Sequence, residues 1–143
     1  MAGKAYGSGS MAWAAAVTVL VNFLLGTLVA ISIPSVIVPG VGALVLCLRT
    51  TVIGLVLAPS TMVMSRMMLA HSWTILVEME AYILAALFAV MIPIWMVRRQ
   101  DGPTVWRRYA GALLLNLRGL AIVLALLVIA GVYEAVEVIL QIR

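Results

Sequence analysis

Residues 11–33 read MAWAAAVTVLVNFLLGTLVAISI, an apolar run of 23 residues that contains no charged side chain. A transmembrane α-helix needs about 20 apolar residues to cross a hydrocarbon core of about 30 Å. The run therefore predicts one membrane-spanning helix. Because it is longer than the apolar region of a secretory signal peptide and leads into further apolar sequence, we expect it to be retained.

Three further apolar stretches predict three more crossings, over residues 35–58, 74–97 and 109–141. Pro34 and Pro39 separate the first two crossings, since proline has no N–H group to donate within a helix. The last stretch is 33 residues long and exceeds the bilayer core, so we expect it to tilt, kink or protrude. The predicted fold class is an all-α bundle of about four transmembrane helices.

The composition of the whole chain is that of an integral membrane protein. Of its 143 residues, 66% are hydrophobic and 10% are charged, whereas about 25% are charged in soluble domains. A polar tail, residues 1–10, precedes a single transmembrane domain, residues 11–143, which leaves no room for a separate catalytic domain. Cys47 is the single cysteine, so no disulfide framework forms within the chain. The net charge of +4 favours the lipid bilayer as partner over nucleic acid.

The connection between the second and third crossings is rich in methionine. Residues 59–73, PSTMVMSRMMLAHSW, are too few and too mixed in polarity to span a bilayer. They predict a short interfacial segment. Its four methionines either fill irregular gaps beneath neighbouring helices or form a surface that adapts to lipid or to a partner.

The loop charges predict the orientation of the chain. Residues 98–108, RRQDGPTVWRR, contain four arginines. Cytoplasmic loops carry an excess of Lys and Arg, so we expect this loop on the cytoplasmic side of the cell membrane. Four crossings would then place both termini outside.

Ionisable side chains within the apolar runs are the most informative for function. A charged Arg, Lys or Asp at a helix centre costs about 2.5 to 3.5 kcal/mol, so such groups usually pair or face the bundle interior. Arg49 in the second crossing, Glu78 in the third and Glu134 in the fourth belong to the same leaflet in this topology. They predict a buried polar cluster. Secondary candidates are His71, Glu80, Glu137 and Asn116.

Two interpretations of this cluster stay open. In the first, the charges fix helix register and assembly. In the second, a carboxylate in a poorly solvated place handles protons or ions. One histidine and scattered carboxylates form no recognised metal-ligand spacing, and no nucleotide-binding or Ser-His-Asp motif is present. We therefore expect no enzyme activity, no metal and no cofactor.

Several motifs resemble the integral-membrane family of stage II sporulation protein M. They are LRTTVIGLVLAP at residues 48–59, HSWTILVEMEAYILA at residues 71–85, and residues 109–139 of the last crossing, which end in the element AGVYEA followed by VEVI. Together with the helices around them, they cover about two thirds of the chain. The commoner family pattern has a histidine four residues before the glutamate, whereas here His71 lies seven residues before Glu78.

The resemblance implies a non-enzymatic, multi-pass membrane protein of a bacterium or archaeon. The sporulation member looks like a scaffold that recruits cell-wall hydrolases, which implies membrane or envelope protein partners here. Arg49, Glu78 and Glu134 fall where the family has its membrane-embedded polar motif. The predicted function is a scaffold or subunit of a membrane complex. The alternative is a small oligomeric transporter or channel that uses the cluster for proton or ion coupling.

Overall fold

A computed structural model describes residues 10–38, 40–56, 58, 60–98 and 104–142. The described chain forms four helices in sequence: α1 (Met11–Ile37), α2 (Val41–Val56), α3 (Met62–Arg98) and α4 (Val105–Ile142). Within these bounds α1, α3 and α4 each contain a segment long and apolar enough to cross a membrane, and α2 is a shorter apolar helix. The predicted all-α membrane bundle is confirmed. Most of the predicted tail, residues 1–9, lies outside the described residues.

Helix α1 extends four residues further than the sequence predicts. Ser10 caps its start, where the hydroxyl accepts a hydrogen bond from the backbone N–H of Trp13 at 3.4 Å. The middle of the helix, Asn22–Ser32, has π-helical turns. Pro34 stands in the first turn of the α-helical segment that follows. A proline is tolerated in that place, so it does not end the helix as predicted.

The turn after α1 delays the start of the second helix. Val38 is extended and Gly40 has a φ of 91°, a left-handed conformation that glycine adopts without steric cost. The backbone N–H of Gly42 donates to Ser35 Oγ at 2.9 Å and ties the two helix ends together. Helix α2 thus begins at Val41 instead of residue 35. Its 16 residues span about 24 Å at 1.5 Å per residue.

The predicted interfacial segment is not a separate element. Residues 62–73 form the first turns of α3, which is 37 residues long. Thr61 precedes this helix, and its hydroxyl accepts a hydrogen bond from the backbone N–H of Met64 at 3.2 Å, in the manner of an N-cap. No proline or glycine follows until Pro93, so nothing in the sequence separates the methionine-rich stretch from the third crossing. Its place at a membrane interface stays a prediction.

Helix α4 also starts earlier than predicted, at Val105 instead of residue 109, and its 38 residues continue to Ile142. Of the predicted loop at residues 98–108, residues 99–103 lie outside the described part of the chain. The Arg108 guanidinium donates to the backbone carbonyl of Met96 at 3.3 Å, which links the adjoining ends of α4 and α3. The cytoplasmic position of this loop stays a prediction.

Small residues bring α3 and α4 together. Lipid tails are as apolar as leucine, so helices in a membrane associate through close packing instead of through a hydrophobic force. Gly119 of α4 lies directly against the ring of Phe88 in α3, and Gly131 lies against Val19 of α1. The core consists of Ile31, Leu46, Ala81, Tyr82, Ala85, Ala86, Ala89, Val123 and Leu127.

Substitution of Gly119 by alanine tests this packing. An added Cβ would overlap the Phe88 ring, and overpacking of this kind costs about 1 to 3 kcal/mol. We expect Gly119→Ala to lower the midpoint of thermal unfolding in lipid or detergent.

Gly54→Ala is the matched control, because no atom lies within 4 Å of a Cβ built on Gly54 in α2. Alanine favours a helix over glycine by up to about 1 kcal/mol, so this variant should be as stable as the wild type or more stable. Equal midpoints for the two variants would contradict the described contact of Gly119 with Phe88.

Candidate functional site

A cleft lined in part by polar side chains lies between α1, α3 and α4. The amino-terminal half of α1, the amino-terminal half of α3 and the carboxyl-terminal end of α4 meet there, because α3 is parallel to α1 and antiparallel to α4. The cleft has a volume of about 270 Å³, and we call it the polar cleft. Its lining residues are Val17, Thr18, Val21, Asn22, His71, Thr74, Ile75, Glu78 and Glu134.

Glu78 is the polar centre of this cleft. Its carboxylate accepts a short hydrogen bond from the side-chain amide of Asn22, which joins α3 to α1. Glu134 of α4 and Arg49 of α2 both lie close enough to interact with Glu78 electrostatically. All four helices therefore contribute to the surroundings of this single carboxylate.

Arg49 packs on an aromatic ring within this group of residues. Its guanidinium carbon lies 4.8 Å from the centre of the Tyr82 ring, a geometry in which a cation is attracted to the ring face. No direct ion pair of the described chain joins Arg49 to Glu78 or Glu134. Tyr82 follows Glu78 by one helical turn. The Arg49 guanidinium lies over the ring of Tyr82.

Gly26 allows this arrangement to lie close to α1. A Cβ built on Gly26 would be 2.9 Å from Arg49 Nη1 and 2.8 Å from the Tyr82 hydroxyl, both closer than real Cβ contacts. The absence of a side chain at this position therefore makes room for both groups. The sequence did not identify Tyr82 as the partner of Arg49.

His71 and Glu137 form a second link between helices. His71 Nδ1 lies 2.9 Å from Glu137 Oε1, with 36% of the histidine side chain and 14% of the glutamate side chain exposed. The contact joins α3 to α4. His71 lies two helical turns before Glu78, so both residues face the polar cleft.

The two remaining candidates lie outside the polar cleft. Glu80 is exposed, since a separation of two residues places it on a different face of α3 from Glu78. Asn116 is only 4% exposed and lines a separate, mostly apolar cleft of about 310 Å³ together with Ser32. Among the described residues, neither Asn116 Nδ2 nor Ser32 Oγ has a hydrogen-bond partner.

Three polar residues of the cleft, Thr18, Asn22 and Thr74, were not predicted as site residues. Asn22 stands alone as an amide in the first apolar run. Thr74 lies four residues before Glu78 and so shares its helix face. That spacing was the available signal, but a threonine in an apolar helix is common and does not by itself indicate a site.

The arrangement supports two kinds of chemistry. Hydrogen bonds between helices stabilise their register, and two carboxylates facing one cleft attract a cation. Among the described residues, no three His, Cys, Asp or Glu side chains come together as a set of metal ligands.

Comparisons with protein families, curated proteins and solved structures found no match to the chain. The resemblance to the sporulation family therefore stays a prediction from the motifs.

Replacement of Asn22 by leucine tests the bond to Glu78. Interhelical hydrogen bonds in membranes contribute about 0.6 kcal/mol on average and up to about 1.7 kcal/mol. The bond here has a carboxylate acceptor, which strengthens it, so we expect Asn22→Leu to destabilise the protein by an amount near the upper value, measured by unfolding in detergent.

Asn116→Leu is the matched control for this substitution. It removes an amide whose buried Nδ2 has no partner among the described residues, so the loss should be smaller or the protein more stable. A larger loss for Asn116→Leu than for Asn22→Leu would contradict the assignment of the bond to Glu78.

Proposed function

We propose that this chain is a non-enzymatic subunit or scaffold of a membrane complex. The observation that carries the proposal is the use of polar groups to join helices to one another. Asn22 bonds Glu78 between α1 and α3, His71 contacts Glu137 between α3 and α4, and Arg49 packs on Tyr82 between α2 and α3. Polar contacts of this kind define one arrangement of the bundle and one outer surface.

The core beyond the polar cleft supports the same proposal. Past Tyr82, the α3 residues that face α4 are Ala85, Ala86 and Ala89, and they pack against Val123 and Leu127. This closely packed apolar cluster favours a structural role over conduction by a monomer.

The resemblance to the stage II sporulation protein M family adds support from the sequence. It suggests membrane or envelope proteins as partners and the cell membrane as the location, with the loop at residues 98–108 in the cytoplasm. The short helix α2 is the candidate contact surface. Its large apolar side chains are widely exposed, from 58% at Val52 to 74% at Leu55.

Affinity purification from native membranes in mild detergent tests the scaffold role. Wild type is compared with Glu78→Gln. This substitution removes a negative charge, and that charge both attracts Arg49 and strengthens the hydrogen bond donated by Asn22. We expect partner proteins to copurify with the wild type and to be depleted with Glu78→Gln. Mass spectrometry and the particle mass provide the readout.

Glu80→Gln is the matched control, because it removes the same charge at an exposed position two residues away and should keep the partners. The scaffold role is contradicted if the wild type purifies as a homo-oligomer without any partner protein, or if all three proteins recover the same partners equally.

The second candidate function is a small oligomeric transporter that couples to protons or ions. One observation favours it: the carboxylates of Glu78 and Glu134 face the same cleft and interact electrostatically. Ionisable side chains within membrane-spanning segments are candidates for cation or proton binding. In this candidate function, several copies of the chain together form the pathway.

Flux measurements on reconstituted liposomes test this candidate. We expect an oligomer of the wild type to move protons or monovalent cations, Glu134→Gln to assemble normally but to lose flux, and Glu80→Gln to keep it. Flux no greater than in protein-free liposomes would exclude the transporter.

A further inference from the structure

Thr74 has a buried hydroxyl group that forms no hydrogen bond with the described residues. The residue is 4% exposed, it lines the polar cleft, and its Oγ1 has no hydrogen-bond partner among the described residues. Threonine hydroxyls in helices usually bond a carbonyl in the preceding turn. Thr50 and Thr51 of α2 do so, with bonds of 3.0 and 2.8 Å. The cleft wall thus contains a buried hydroxyl whose hydrogen-bonding capacity is not met by the described residues.

Two carboxylates share the cleft with this hydroxyl. Glu78 and Glu134 reach it from α3 and α4 and interact electrostatically with each other. Arg49 compensates part of their charge from a position over the Tyr82 ring, outside the cleft lining. With both carboxylates ionised, the two negative charges and one positive charge favour a ligand that carries a single positive charge.

Apolar side chains form another part of the cleft wall. Val17 and Val21 of α1 and Ile75 of α3 line it, together with the polar side chains of Thr18, Asn22 and His71. A volume of about 270 Å³ exceeds what one bare ion needs, since a water molecule occupies about 30 Å³ in the liquid. The apolar side chains pack well against hydrocarbon, which an inorganic ion lacks.

We propose that the polar cleft binds a small organic ammonium ion. An ammonium group has three N–H donors, and the cleft offers three acceptors for them: the Glu78 carboxylate, the Glu134 carboxylate and the Thr74 hydroxyl. The carbon chain of the ligand lies against Val17, Val21 and Ile75. The proposal does not depend on the scaffold role, because it concerns a ligand of the isolated chain.

Calorimetric titration of the full-length protein in detergent micelles tests the proposal, with n-butylammonium chloride as the probe. We expect saturable binding of n-butylammonium and none of n-butanol, which has the same carbon chain without the charge. We also expect that excess NaCl or KCl does not displace n-butylammonium from the protein. Any fall in affinity should be no larger than ionic strength alone produces.

Two substitutions locate the binding site. Thr74→Val keeps the shape of the side chain and removes the hydroxyl, so the affinity for n-butylammonium should fall about tenfold, as for loss of one hydrogen bond to a charged group. Glu134→Gln should reduce it by at least as much. Thr51→Val and Glu80→Gln, at exposed positions outside the cleft, should bind like the wild type.

Each other result overturns the proposal. Equal binding of n-butanol would make the cleft a general apolar pocket, and displacement by sodium or potassium ions would assign it to an inorganic cation. Unchanged affinity in folded Thr74→Val and Glu134→Gln would place the ligand elsewhere. Thermal unfolding of each variant verifies that it is folded, and Glu134→Gln provides the decision if Thr74→Val does not fold. None of these outcomes depends on whether partner proteins copurify.

Discussion

The close approach of α3 and α4 is the packing constraint on which the other contacts depend. In a bilayer, this approach relies on small side chains, because apolar surface gains little by moving from lipid to protein. Gly119 against Phe88 and the buried alanines of α3 provide it. Once these helices are in contact, Glu137 lies beside His71, and Glu134 faces the same cleft as Glu78.

The polar side chains are distributed unevenly along the bundle. Most polar side chains that contact a neighbouring helix lie in one half of the bundle, where the amino-terminal halves of α1 and α3 meet the carboxyl-terminal end of α4. The core beyond them is apolar. Contacts between helices limit the cost of burying polar groups: Asn22 bonds Glu78, and His71 contacts Glu137. Thr74 lines the same cleft, and its hydroxyl has no hydrogen-bond partner among the described residues.

The sequence predicted the helices better than their ends. Apolar run length identified the three helices of the described chain that are long enough to cross a membrane, because membrane thickness sets a minimum length. The second predicted crossing, residues 35–58, is the shorter apolar helix α2 of 16 residues. Proline was given too much weight at Pro34, which lies within α1. The methionine-rich stretch was separated from α3 on composition alone, although it contains no residue that stops a helix. Within the site, depth placed Arg49, Glu78 and Glu134 in the same leaflet, but it could not show that the Arg49 guanidinium lies over the Tyr82 ring.

Sequence alone determined that the chain is a helical membrane protein, since hydrophobicity and run length are properties of each segment by itself. It also identified which ionisable groups are costly in a bilayer. Tertiary structure decided which of them meet, because that depends on the rotation of each helix about its axis and on contacts such as Gly26 with Arg49. The rotation of each helix is set by the small residues packed between helices. An apolar helix faces lipid on one side and protein on the other, so its sequence carries little signal of which residues face the protein.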